Sequence, residues 1–124
     1  MPDAQTPGTG PAMIQERDVE LAVEWLRDNA KAAAKARAER IYVEEYKKSL
    51  EAQLMCGSDS QGTSAVDRQA YARSHPKYLA HLRAIQEAVE RDETMRWLMV
   101  AAQAKIEAWR TQNANLRAEG RAYS

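Results

Sequence analysis

Two long stretches of the sequence contain neither glycine nor proline, and this feature constrains the fold more than any other. They cover residues 17–56 and 77–119, and both are rich in Ala, Glu, Lys, Arg and Leu. These residues favour helix, whereas glycine and proline are the residues that most often end one. The pattern therefore predicts two long α-helices, over residues 17–56 and 76–119, because Pro76 fits the first turn of the second helix.

A short helix is predicted between the two long ones. Residues 57–62 read Gly-Ser-Asp-Ser-Gln-Gly, a composition typical of a turn that reverses the chain. Either Thr63 or Ser64 can cap a helix over residues 64–73, and the run Ser74-His75-Pro76 marks the next boundary. We therefore expect an all-α fold, with one helical domain over residues 17–124. Its two long helices are expected to pack as an antiparallel hairpin with a short connecting helix.

The last helix carries the clearest hydrophobic periodicity. Its apolar positions alternate three and four residues apart, which is the heptad pattern of a coiled coil. Asp92 and Asn113 also fall on this pattern, where polar side chains commonly set the register between helices. The pattern predicts packing or oligomer contacts for Ile85, Met95, Met99, Ile106, Trp109 and Leu116.

Apolar residues of the first helix spread over more than one face. One stripe consists of Val19, Val23, Leu26, Ala30 and Ala33. The apolar residues within 41–54 point in several directions, so one partner helix would not cover them all. A hairpin of two such helices would leave apolar surface in water, and we therefore expect a homo-oligomeric helical assembly.

Overall charge does not indicate a nucleic-acid partner. Of the 124 residues, 18 are Lys or Arg and 18 are Asp or Glu, so attraction to phosphate must come from a local patch.

Residues 1–16 are expected to form a flexible tail, since they lack the features of a signal peptide. No apolar stretch approaches the roughly 20 residues that span a bilayer, and the single Cys56 suits a reducing compartment. We expect a cytoplasmic protein without membrane partners.

The sequence has few groups suited to catalysis. Neighbouring carboxylates such as Glu44 and Glu45 point in different directions from a helix, so they do not form an acid–base pair. His75 and His81 fit a helix cap and a packed ring better than a pair of metal ligands. No phosphate-binding glycine loop, nucleophile motif or zinc-ligand spacing occurs. We therefore expect no enzymatic activity, no catalytic residue, no metal site and no cofactor.

A local group of cations is the most suggestive feature for function. The candidate DNA-binding residues are Arg27, Lys31, Lys35, Arg37, Arg40, Arg110 and Arg117. The first three are four residues apart and share a helix face, and the next two are close by in sequence. Such cations can neutralise phosphates without reading base sequence, which is the usual basis of non-specific binding to single strands. The alternative is a solvated helix face with ordinary ion pairs.

Ala34-Lys35-Ala36-Arg37 lies in a long predicted helix, which is followed by a polar loop, by the segment Asp67-Arg68-Gln69-Ala70-Tyr71, and by a long final helix containing tryptophan. This layout resembles the UvsY family of phage recombination mediators, and a phage-encoded protein would act in the host cytoplasm. This resemblance implies that Lys35 and Arg37 contribute to binding single-stranded DNA. It further implies a ring-shaped assembly that requires no cofactor. Such an assembly helps to load a RecA-like recombinase onto strands coated by single-strand-binding protein.

Two functions of different classes remain open. The first is a phage-type mediator of DNA recombination and repair that binds single-stranded DNA as a homo-oligomer, with a RecA-like recombinase and a single-strand-binding protein as partners. The alternative is a helical protein-interaction module, such as a phage inhibitor or an assembly adaptor, that acts through its coiled-coil faces without binding nucleic acid. Binding to a labelled oligonucleotide at low and moderate salt distinguishes the two.

Overall fold

A computed structural model describes residues 13–57, 60 and 64–123 of the chain. These residues form three α-helices. They are α1 (Glu16–Cys56), α2 (Ala65–Ser74) and α3 (Pro76–Tyr123), and the described residues contain no strand. The predicted all-α fold, with two long helices and a short one between them, is confirmed. The predicted oligomeric assembly stays a prediction.

The ends of the helices follow from local capping interactions. The Gln15 amide donates to the Asp18 carboxylate at 2.9 Å, which begins α1 one residue earlier than predicted. Ser64 caps α2 by accepting from the Asp67 amide at 3.0 Å, whereas Thr63 lies outside the described residues. His75 precedes α3, where its Nδ1 accepts from the Lys77 amide at 3.0 Å.

The last helix is longer than predicted. It continues through Gly120 to Tyr123, whereas the sequence suggested an end at residue 119. Glycine lowers helix stability by about 1 kcal/mol relative to alanine but does not forbid a helical backbone. A glycine near the end of a 48-residue helix therefore does not stop it.

By their contacts the described residues fall into two compact units, and the single domain expected over residues 17–124 stays a prediction. The first unit contains the described parts of Met1–Asp28 and Leu98–Ser124, and the second is Asn29–Trp97. In the first unit, Gln112 on α3 bonds the backbone of Ile14 twice, through Oε1 to the amide at 3.1 Å and through Nε2 to the carbonyl at 2.8 Å. Most of the predicted tail, residues 1–12, lies outside the described residues.

In the second unit α1 and α3 run antiparallel. Arg91 on α3 donates to Glu39 on α1, whereas His81, earlier on α3, donates to the carbonyl of Val43, later on α1. α2 is attached to α1 by Glu51, which accepts from Gln69 at 3.0 Å and from Arg73 at 3.3 Å. In this unit α2 and α3 therefore both contact α1.

Small side chains dominate the buried positions of both units. The buried apolar residues are Ala22 and Ala102 in the first unit and Ala36, Leu50, Ala72, Tyr78 and Ala88 in the second. No large side chain among the described residues is fully buried. The helices therefore pack through alanines, and many larger apolar residues stay partly in water.

Candidate nucleic-acid interface

The first half of α1 contains a segment with cations and no acids. Between Asp28 and Glu39 the only charged residues are Lys31, Lys35 and Arg37. All three are exposed, and none forms an ion pair with any residue that the structure describes. This segment belongs to the second unit and is its most uniformly basic stretch of helix.

The three cations do not share one face. A residue advances about 100° around a helix axis, so Lys31 and Lys35 lie about 40° apart, whereas Lys35 and Arg37 lie about 200° apart. The surroundings agree with this geometry. Lys35 borders a groove with Tyr42, Glu39 and Arg91, a set of neighbours that Arg37 does not share. Lys31 and Lys35 form what we term the lysine face of α1.

Arg40, another predicted DNA contact, takes part in an internal ion-pair cluster. Its guanidinium lies 3.0 Å from Glu93, 3.1 Å from Asp92 and 3.4 Å from Glu44. The hydrogen bonds to Glu93 and then to Asp92 raise the pKa of Arg40 above its ordinary value, so the guanidinium stays charged. Three carboxylates already balance this cation, and we therefore leave it out of the candidate interface.

Arg37 lies beside this cluster. It borders a groove in which three arginines face three carboxylates, with Arg40 and Arg96 as the other cations and Glu44, Asp92 and Glu93 as the acids. Carboxylates in the same groove offset the positive potential around Arg37, so phosphate is attracted to it less than to a site lined by cations alone. The two cations of the Lys-Ala-Arg motif therefore have different electrostatic surroundings.

The remaining predicted DNA contacts belong to the first unit. Arg27 lies 3.9 Å from Asp28, and both side chains are 71% exposed, so the pair is weak. Arg110 pairs more closely with Glu107, at 2.8 Å, although both are well exposed. Arg117 is exposed and borders a shallow groove with Arg110 and Trp109. Arg110 and Arg117 therefore share one groove, whose positive charge Glu107 partly offsets.

The residues predicted for packing follow the heptad pattern of α3. Five of the six, namely Ile85, Met95, Met99, Ile106 and Trp109, are half-buried, whereas Leu116 is 47% exposed. Asp92, a polar member of the same pattern, is 6% exposed and pairs with Arg40. Whether any of these residues contacts a second copy stays a prediction.

One residue of the candidate interface was missed in the sequence. Tyr42 is 67% exposed and follows Lys35 by seven residues, which places it within about 20° of the same direction around α1. A helical projection of α1 would have revealed it, but its apolar ring suggested a packing residue instead. The lysine face therefore has an aromatic neighbour.

Other kinds of site are not found in the part of the chain that the structure describes. No three His, Cys, Asp or Glu residues there are arranged to hold a metal ion. No helix among these residues has the length and apolar content to cross a membrane. Comparison of the chain with family models, with curated proteins and with solved structures finds no match.

Proposed function

We propose that this protein binds single-stranded DNA without sequence preference through the lysine face of α1, and that it acts as an accessory protein in recombination. The observation that carries the binding proposal is the segment between Asp28 and Glu39, where Lys31 and Lys35 are exposed and have no ion-pair partner among the described residues. Forming phosphate contacts there does not require an internal ion pair to break, as it would at Arg40. The cost of binding is correspondingly low.

The wider role rests on the resemblance to recombination mediators. In that role the protein would assemble as a homo-oligomer and help a RecA-like recombinase to replace single-strand-binding protein. An assembly repeats the lysine face, so contacts that are weak singly add up along one strand. A net charge of zero fits this arrangement, because affinity comes from repetition of a local patch rather than from a strongly basic chain.

The test is fluorescence anisotropy with a labelled oligothymidine at several salt concentrations. Replacing Lys31 and Lys35 together by glutamine should weaken binding at low salt. For single strands, the slope of log affinity against log salt concentration has a magnitude of about 0.7 per phosphate contact. Losing two contacts should therefore reduce the magnitude of this salt slope by about 1.4. Light scattering should show an unchanged particle mass, which would separate lost contacts from lost assembly.

Two control variants sharpen this test. Lys48→Gln removes the same charge from the same helix, but Lys48 is already paired with Glu45 at 3.3 Å, so affinity and salt slope should not change. Arg37→Gln should reduce affinity less than Lys35→Gln, because Arg37 lies on the other side of α1 beside carboxylates. If the variant with glutamine at both Lys31 and Lys35 binds as tightly as the wild type, the assignment of the site is wrong.

A protein-interaction module is the second candidate, favoured by exposed apolar residues. In the second unit Ile41 is 49% exposed, Leu79 is 49% exposed and Trp97 is 61% exposed. Aromatic and large apolar side chains of this kind are enriched in the centres of protein interfaces. Absence of oligonucleotide binding at micromolar protein and low salt would favour this function.

A further inference from the structure

The ring of Tyr42 occupies an unusual position for an aromatic side chain. It is 67% exposed, although burying an aromatic ring is strongly favourable. It also lies on the side of α1 that carries Lys31 and Lys35, two turns beyond Lys35 and about 10 Å farther along the axis. An exposed ring next to unpaired cations is the combination with which proteins hold single strands, since bases stack on the ring and cations contact phosphates.

Neighbouring side chains hold this ring in place. Tyr42 stacks on Tyr46 with 6.0 Å between ring centroids and 15° between ring planes. Tyr46 in turn contacts the ring of His81 at 5.4 Å, and His81 donates from Nε2 to the carbonyl of Val43 at 2.6 Å. The ring is therefore oriented before any ligand arrives, which lowers the entropy lost on binding.

The other side of the ring is accessible. Tyr46 follows Tyr42 by one turn, so it covers the side of the ring nearer the C-terminus of α1. Toward the N-terminus, Tyr42 borders the groove that also contains Lys35, Ala38 and Arg91. Ala38 is small, and Arg91 reaches across from α3 to pair with Glu39 at 3.4 Å. The groove therefore presents the ring of Tyr42 and the small side chain of Ala38, with the cation of Lys35 beside them.

From this geometry we infer that Tyr42 is a stacking platform for a base of single-stranded DNA, whose backbone lies along Lys31 and Lys35. The inference rests on the proposed function and adds to it that the protein contacts bases as well as phosphates. Because every base has a stacking face, the contact adds affinity without sequence preference.

The test compares two oligonucleotides of equal length, oligothymidine and an abasic strand with the same phosphates. Wild-type protein should bind oligothymidine about fivefold to tenfold more tightly than the abasic strand. This factor corresponds to the lower end of the affinity that one stacked base contributes. Tyr42→Leu should remove this difference and leave the affinity for the abasic strand unchanged. Tyr42→Phe keeps the ring and should retain the difference. Lys35→Gln should weaken binding of both strands to a similar extent.

Trp97→Leu is the matched control. Trp97 is another highly exposed ring of the second unit, 61% exposed, with the Arg96 guanidinium 5.9 Å from its centre. The leucine variant should keep the preference for oligothymidine. If Trp97→Leu rather than Tyr42→Leu removes the preference, the platform has been assigned to the wrong residue.

The outcomes separate failure of this inference from failure of the proposed function. Equal binding of both strands by the wild type would overturn the stacking platform and leave phosphate binding intact. Absence of binding to either strand would overturn both. A Tyr42→Leu variant with a smaller particle mass in light scattering would show that Tyr42 belongs to an interface between copies of the chain, which also overturns the platform.

Discussion

Replacement of Asp92 tests how the ion-pair cluster around Arg40 contributes to stability. Asp92 is 6% exposed on the heptad face of α3, and its carboxylate lies 3.1 Å from Arg40. A charge-assisted hydrogen bond contributes about 1.5–3 kcal/mol to the free energy of unfolding. Arg40 keeps Glu93 and Glu44 as partners and is 29% exposed, so water and two carboxylates still satisfy it. We therefore expect Asp92→Ala to cost about 1.5 kcal/mol, the lower end of this range.

Leucine at the same position should behave differently. Its side chain has the same number of heavy atoms and the same branching as that of aspartate, but its methyl groups are larger than the carboxylate oxygens and carry no charge. Relative to alanine it buries three more carbons, and at about 0.8 kcal/mol each this contributes roughly 2 kcal/mol. Asp92→Leu should therefore be about 2 kcal/mol more stable than Asp92→Ala and close to the wild type.

The measurement is urea unfolding followed by far-UV circular dichroism, with all variants at one protein concentration because association changes apparent stability. Glu90→Ala is the control, since Glu90 is exposed on the same helix and has no ion pair with the described residues. It should change the free energy of unfolding by no more than about 0.5 kcal/mol. A leucine variant no more stable than the alanine variant would refute the reasoning, because it would show that burying apolar carbons at this position does not increase stability.

Three further predictions concern the ends of helices. Gln112→Ala removes both hydrogen bonds to Ile14 and should lower the free energy of unfolding by about 1–2 kcal/mol, with faster exchange of the Ile14 amide hydrogen. Unchanged stability and unchanged exchange would show that these bonds are dispensable. Ser64→Ala removes the cap of α2 and should cost about 1 kcal/mol in urea unfolding, whereas Ser64→Gly should cost only a few tenths. Gly120→Ala places the alanine methyl group in open space and should stabilise the end of α3 by up to about 1 kcal/mol. A loss of helical signal in far-UV circular dichroism would contradict a continuous helix through residue 120.

The heptad face of α3 was predictable because its members are mainly apolar. Positions such as Ala88, Met95 and Ile106 recur at the required spacing, and the two polar exceptions are far enough apart to leave the pattern visible. Burial follows the prediction along most of this face. Only Leu116, near the end of the helix, is substantially exposed.

The packing face of α1 was not predictable in the same way. Its buried and half-buried positions also alternate four and three residues apart, as Ala22, Leu26, Asn29, Ala33, Ala36, Arg40, Val43, Lys47, Leu50 and Leu54. Polar residues at three of these ten positions obscure the period. Val23 and Ala30, expected on the packing stripe, are instead exposed. The position of Arg40 depends on its pairing with Asp92, a contact across 52 residues that helix periodicity does not reveal.

The candidate interface was predictable only in part. The cations were visible in the sequence, and so were ion pairs at helical spacing such as Arg110 with Glu107, but the pairing of Arg40 with Asp92 on another helix was not. Lys35 and Arg37 are two residues apart, which already places them on different sides of a helix. The lysine face and its tyrosine could have been found by the same geometry.

The alanines at the buried positions also determine how relatives of this chain should vary. Ala72 is 0% exposed and Ala88 is 1% exposed, so a larger side chain at either position would push the helices apart. Glycine or serine would fit, whereas leucine would not. Exposed residues such as Val66, at 75%, carry no such restriction. Homologous proteins should therefore share the spacing of small residues more faithfully than any short motif, and a profile weighted toward these positions should detect divergent members most sensitively.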